Sequence, residues 1–367
     1  MKDPRVESLA RILVEHSTAV AKGDVCVIEG PAAAEPLVRA LHKRILRAGG
    51  HPIVSMEFDG AAAQFFEYAS DEQIQWIAPT TRWVAEEADV RIRLMASRNT
   101  RELSGVEPSK QTLRQKAMAP LMGAMMERAA AGEHRWALTI FPTEAYASGA
   151  SMALGAYEDF YFGACLADAD DPVAAWEAAS EQTHRLAEWI EGREEVQISG
   201  PGTDLKLSVA GRHFIAADGK HNMPDGEFFT GPVEDSAEGE VSFHIPATYA
   251  GREVAGVRFR FEAGRVVDAS AERGEEFLIE MLDTDDGARR LGELGIGTNY
   301  GITRGTGEIL LDEKIGGTVH LAVGKSYPDT GGLNESAIHW DMICDLRKGG
   351  RITVDGEALQ EDGRFVI

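Results

Sequence analysis

Halfway along the chain the spacing of apolar residues changes, and that change limits the architecture more than any other feature. In the first half, short apolar runs alternate with helical patterns. Residues 24–30, 52–56, 89–95 and 136–140 read as strands. Between the first two, Leu37, Val38, Leu41, Ile45 and Leu46 share one helix face that Gly49-Gly50 brings to an end. Asp3-Pro4 and Asp171-Pro172 each read as a helix start. Strands alternating with helices predict a parallel sheet covered on both faces, an α/β domain over residues 1–194. From Glu195 onward the period becomes two. Val196 and Ile198, then Leu205, Leu207 and Val209, then Val257, Phe259 and Phe261 alternate with polar residues. Glu262-Ala263-Gly264 turns the last run back on itself, an acidic helix is expected from about Glu275 through Arg290, and residues 351–367 read as a closing hairpin. Residues 195–367 are thus expected to form a mainly antiparallel β (α+β) domain.

Charge and cysteine content narrow the partners. Sixty acidic against 37 basic residues give a net charge of -23, which repels phosphates and speaks against nucleic acid. The turn at residues 29–35 carries one glycine and lacks both the GxGxxG and the Walker A pattern, so no nucleotide site is expected there. Three widely spaced cysteines make no disulfide framework, and Cys26 and Cys344 sit in apolar runs expected to be buried. The start of the chain lacks a signal peptide's apolar core, and no apolar run approaches the ~20 residues of a membrane span. The expectation is a cytoplasmic protein without membrane association.

Four short stretches of the second half place Glu, His or Asp in apolar or glycine-rich settings. His320 lies within Thr-Val-His-Leu-Ala-Val and His339 within Ala-Ile-His-Trp-Asp-Met. Residues two apart in a strand point to the same face, so His339 and Asp341 aim an imidazole and a carboxylate at one point. A second strand carrying His320, with Glu313 before it, would add nitrogen and oxygen donors for a hydrolytic metal centre. Glu227 precedes Phe228-Phe229, and Glu293 precedes the Gly295-Ile296-Gly297 turn. On residue types alone two readings stay open: a metal site, or hydrogen-bonded core histidines beside strand-end carboxylates. No HExxH is present, which excludes the common helical zincin geometry. Lys314, Lys325 and Arg347 read as solvated or supporting residues.

Together these stretches resemble the motifs of the aminopeptidase T / aminopeptidase S (PepS, AmpS) family of metallopeptidases. Asn222-Met223-Pro224-Asp225-Gly226-Glu227-Phe228-Phe229-Thr230 resembles its N-L-P-x-G-E-V-F-T segment, and Glu293 through Asn299 its E-x-x-x-G-T-N turn. Asp312-Glu313 with His320 through Gly324 and Tyr327-Pro328 resembles its D-E…H-I-A-L-G…Y-P block. His339-Trp340-Asp341 resembles its H-x-D pair, and Gly202 through Leu205 its G-T-D-L strand. The chain departs from the pattern at Gly231, where alanine is common, and in a longer interval from Glu313 to His320. The resemblance implies two divalent metal ions per chain, zinc or cobalt, bound by Glu227, Glu293, Glu313, His320, His339 and Asp341. It implies a metal-dependent aminopeptidase that removes the N-terminal residue of peptide substrates through a metal-activated water. Glu293 would bridge the ions and take the water's proton, Tyr327 would donate to the oxyanion, and the chain would be a homodimer. Two rival readings are a mononuclear-iron, ring-cleaving dioxygenase of the dihydroxypyridine type, using His320, His339 and Asp341, and a non-catalytic peptide-binding homologue. Retention of Glu227 and Glu293 speaks against the iron site, and no ligand of the set is missing.

Overall fold

The computed structural model describes residues 3–249 and 251–367. The chain divides into two compact units, Met1–Glu177 with Gly219–Pro224 and Ala178–Asp218 with Asp225–Ile367. The division falls within the helix Pro172–Ile190.

The first unit contains the parallel sheet expected from the alternating pattern. Its strands run in the order His51–Glu57, Val25–Pro31, Val90–Met95, Arg135–Ile140 and Asn222–Met223, each parallel to its neighbour. Cys26, Val27 and Ile28 are buried, as an unbroken apolar run in a strand covered on both faces requires. The helix Glu35–Ala48 buries Leu37, Val38, Leu41 and Ile45. It stops where Gly49 turns to φ 87°, a left-handed conformation that a Cβ would oppose. At the start of the chain the Asp3 carboxylate accepts the Arg5 backbone N–H at 2.9 Å and caps the helix Pro4–Arg11. One strand differs from the expected burial. His51–Glu57 has a neighbour on one side only, and Ile53 and Met56 are each 43% exposed. The fifth strand, Asn222–Met223, is two residues long and leaves no periodic signature to read.

The second unit carries two large antiparallel sheets and a two-stranded one, Ala247–Tyr249 with Arg252–Val254. Five strands are ordered His339–Asp345, Thr318–Gly324, Leu291–Gly297, Glu227–Thr230 and Ile215–Ala217. Eight more are ordered Arg265–Ser270, Arg258–Glu262, Glu238–Ser242, Thr203–Ser208, Glu195–Gly200, Arg351–Val354, Glu357–Glu361 and Arg364–Phe365. Alternate residues of both sheets enter one core, among them Val196, Leu205, Phe259, Phe228, Leu294, Leu321 and Met342. The tail therefore adds three strands rather than a bare hairpin. The acidic helix is also shorter than its pattern predicts, spanning Glu275–Leu282. Beyond it the Asp285 carboxylate accepts the N–H groups of Gly287 and Ala288, at 3.0 and 2.9 Å. That local turn competes with continued helix through a segment rich in aspartate. Three cysteines are free and buried, and no helix among the described residues is long and apolar enough to cross a membrane.

Phe228 lies fully buried behind the strand that bears Glu227, its ring 6.1 Å from those of both Phe214 and Phe365. Phe228→Ala should cost ~3–5 kcal/mol of stability through lost burial and the cavity left behind. Denaturant titration followed by circular dichroism checks this; a loss below ~1 kcal/mol would contradict the packing described.

Candidate metal centre

The register of the five-stranded sheet decides which side chains meet. His320 pairs with Gly295 on one side and Ile343 on the other, and Ala322 with Glu293 and Asp341. Gly324 pairs with His339, and Gly297 with Glu227. Since paired residues share a face and alternate residues return to it, Glu227, Glu293, His320, His339 and Asp341 project from one side of four adjacent strands. The intervening residues Phe228, Leu294, Leu321, Trp340 and Met342 enter the core on the other. A register shift between Leu291 and Glu293 sets the glutamate opposite Ala322, as bulges beside functional sites do. Gly295 supplies the space. A Cβ there would lie 2.0 Å from both Cε1 and Nε2 of His320, so only glycine lets the ring lie across the strand.

Two groups of donors converge, Glu227–Glu293–His320 and Glu293–His339–Asp341, each with its ligand atoms within 4.8 Å of one another. Glu293 belongs to both. Its Oε1 is 3.2 Å from His320 Nε2, and its Oε2 is 3.2 Å from His339 Nε2. Glu227 Oε2 approaches His320 Nε2 at 3.3 Å, and Asp341 Oδ1 approaches His339 Nε2 at 3.6 Å. Both rings are oriented from behind. His320 Nδ1 lies 3.0 Å from the Glu313 carbonyl and His339 Nδ1 lies 2.7 Å from the Lys325 carbonyl. A carbonyl only accepts, so each Nδ1 carries the hydrogen and each neutral ring turns its Nε2 lone pair toward the carboxylates. Acceptors then face acceptors, an arrangement that requires a proton or a metal ion between them. Glu227 Oε2 and Asp341 Oδ1 are buried without a hydrogen-bond partner among the described residues. Imidazole nitrogen with carboxylate oxygen suits a divalent transition metal, and these residues fit one.

The electrostatics follow from crowding carboxylates away from water. Burial alone would hold both imidazoles neutral, but Glu227 and Glu293 raise His320 to about 10. Glu293 and Asp341 likewise raise His339 to about 9 against its own burial. Burial also opposes ionisation of Glu293, yet hydrogen bonds from the two histidines lower it to about 2. Burial raises Asp341 to about 6 and Glu227 to about 8, the latter against the pull of Lys314.

Two residues expected in the site take different places within it. Glu313 stands outside both donor groups. Its carboxylate is 2.5 Å from Lys314 Nζ, and its backbone carbonyl orients His320. The Tyr327 ring meets His339 edge-on at 5.0 Å and lies 5.6 Å from the Phe229 ring. Burial and the nearby Glu293 and Asp341 charges push its hydroxyl above the ordinary tyrosine range, so it stays a proton donor. Lys314, read from sequence as solvated or supporting, is the supporting residue of the site and not a solvated one. It is fully buried, with Nζ 2.9 Å from Glu227 Oε1 and 3.6 Å from Asp225 Oδ1. Its one visible signal is a charged residue enclosed in Leu-Leu-Asp-Glu-Lys-Ile-Gly-Gly.

A family model described as thermophilic metalloprotease (M29) matches residues 2–365. Aminopeptidase T of Thermus thermophilus is 28% identical, over 98% of this chain and 95% of the relative. Aminopeptidase 2 of Geobacillus stearothermophilus is 27% identical, over 97% of this chain and 95% of the relative. The solved structure of wild-type AmpT from Thermus thermophilus matches with a TM-score of 0.85 at 26% identity, over 99% of both chains. A 2,5-dihydroxypyridine dioxygenase from Pseudomonas putida KT2440 matches at a TM-score of 0.59 and 12% identity, over 99% of this chain and 96% of that one. That second likeness is one of fold alone.

In the metal-free protein at pH 7 both imidazoles lie below their raised values of about 10 and about 9, and so carry a proton on Nε2. An ion binding there must displace it. Metal uptake should therefore strengthen as pH climbs from 7 toward 9 and release protons from both imidazoles and from Glu227, whose carboxyl is raised to about 8. Calorimetric titration in buffers of different ionisation enthalpy measures this; uptake without proton release would refute the arrangement of donors.

Proposed function

The chain belongs to the thermophilic metalloprotease (M29) family and is an aminopeptidase, and on that premise we propose that it works through a pair of divalent ions on one face of the C-terminal sheet. One observation carries the proposal: the Glu293 carboxylate turns one oxygen to each imidazole and so joins the two donor groups. Glu227, Glu293 and His320 are assigned to one ion, and Glu293, His339 and Asp341 to the other. Glu313, expected among the ligands, is assigned a supporting place instead, its carboxylate on Lys314 and its carbonyl on His320. Zinc or cobalt is the ion the family resemblance implies, and imidazole with carboxylate accommodates either. When bound, such ions acidify a water and polarise the scissile carbonyl.

The chain's own residues supply the remaining tasks. Glu293, whose carboxylate lies between the two imidazoles, is assigned to take up the attacking water's proton. Tyr327, whose hydroxyl is raised above the ordinary tyrosine range and whose ring meets His339, is assigned to donate to the oxyanion. The backbone carbonyls of Glu313 and Lys325 fix both imidazoles in one tautomer and one orientation.

Glu293→Gln or His320→Ala should abolish hydrolysis of aminoacyl-anilides while the circular dichroism spectrum is unchanged. Chelation should do the same to the native protein, with zinc or cobalt restoring activity and metal analysis giving two ions per chain. Substantial residual turnover in either variant would remove these residues from the mechanism. One iron per chain with oxygen uptake would favour the ring-cleaving alternative.

A homodimer forms part of the same reading. The edge strand His51–Glu57 exposes Ile53, Val54 and Met56, with Phe58 just beyond it 63% exposed, and such edges are normally covered. Free, buried cysteines suit a reducing, cytoplasmic setting. Light scattering coupled to gel filtration should give twice the chain mass, and a mass of 39.8 kDa at micromolar concentration would exclude the dimer.

A further inference from the structure

Lys314 has no part in the chemistry assigned above, yet its side chain is fully enclosed at the edge of the metal centre. Its Nζ lies 2.5 Å from Glu313 Oε1, 2.9 Å from Glu227 Oε1 and 3.6 Å from Asp225 Oδ1. Glu227 is therefore divided: Oε1 is engaged by the ammonium, while Oε2 faces His320 Nε2 at 3.3 Å. The other donor group is built differently. Asp341 and His339 pair with each other and, through His339, with Glu293, and neither has a lysine or arginine ion partner among the described residues.

A fixed ammonium in a carboxylate cluster acts as a resident cation. It takes up charge that Glu227 would otherwise direct at a metal, and it repels any ion placed on the far oxygen of the same carboxylate. Burial weakens screening, so neither effect is diluted by solvent. The group without a lysine suffers neither.

We infer that Lys314 makes the two metal positions unequal: the Glu293–His339–Asp341 position fills first and tightly, and the Glu227–Glu293–His320 position fills second and more weakly. Lys314 is a positioning residue that sets the loading order, and the inference rests on the two-ion reading above. It also gives the Glu313 carboxylate a use, as the second anchor that keeps the ammonium on Glu227.

Titration of the metal-free protein with Co²⁺, followed by its visible absorption and by calorimetry, tests the inference without recourse to activity. The wild-type chain should bind two ions with affinities at least ~10-fold apart, about 1.4 kcal/mol. His339→Ala should remove the tight step and leave the weak one. Lys314→Met, which keeps the side-chain length and removes the charge, should tighten the second step and narrow the gap, with circular dichroism confirming the fold. Equal affinities in the wild-type chain overturn the inference whether or not the methionine variant folds. So does a folded Lys314→Met protein with the gap unchanged. A wild-type chain that takes up no cobalt overturns the metal centre itself, and that outcome is distinct from two ions bound equally.

Discussion

Two imidazole nitrogens that face only oxygen acceptors are the condition the rest of this molecule is built to hold. Backbone carbonyls take the hydrogens on the far side of His320 and His339, so the near side turns lone pairs toward carboxylates, and a proton or a metal ion has to lie between them. Crowded, buried anions of this kind are costly unless a cation stands among them. Lys314 meets part of that need permanently. Protons or divalent ions meet the rest, and the exchange of one for the other is where the chemistry of the family enters.

What keeps such a costly arrangement in place is the ordinary packing of a β-sheet. Leu294, Ile296, Leu321, Val323, Trp340 and Met342 bury one face of the same strands, and the acidic and imidazole side chains occupy the alternate positions. A slip of one residue would put these acidic and imidazole side chains into the core and the core residues in their place. The hydrophobic energy that stabilises the second unit therefore also fixes the register on which the donors depend. Fold and centre are one set of contacts seen from two sides.

Much of this could be read from the chain. Period-two apolar runs gave the antiparallel half, alternation of strand and helix gave the parallel sheet, and His339-x-Asp341 announced a shared face because strand geometry leaves no other outcome. The remainder depends on what lies far away in sequence. Lys314 reads equally as a solvated or a supporting charge until Glu227, 87 residues distant, is brought to its Nζ. Glu313 keeps its proximity to His320 through a backbone carbonyl, which no pattern of side chains encodes. The two-residue strand Asn222–Met223 is defined wholly by its partner, and the acidic helix stops at Leu282 because Asp285 ties down a turn that helical periodicity does not see.

The bare backbone at Gly295 reaches further than its size implies. Since the His320 ring occupies the volume where a β-carbon would stand, this position is a prerequisite for the histidine opposite it and not a neutral spacer. A descendant that exchanged the glycine for alanine would still display every acidic and imidazole residue in an alignment, while the ring it needs had been evicted. Whether kindred chains have kept their chemistry is thus better judged first from the residue facing the histidine, and only then from the tally of ligands.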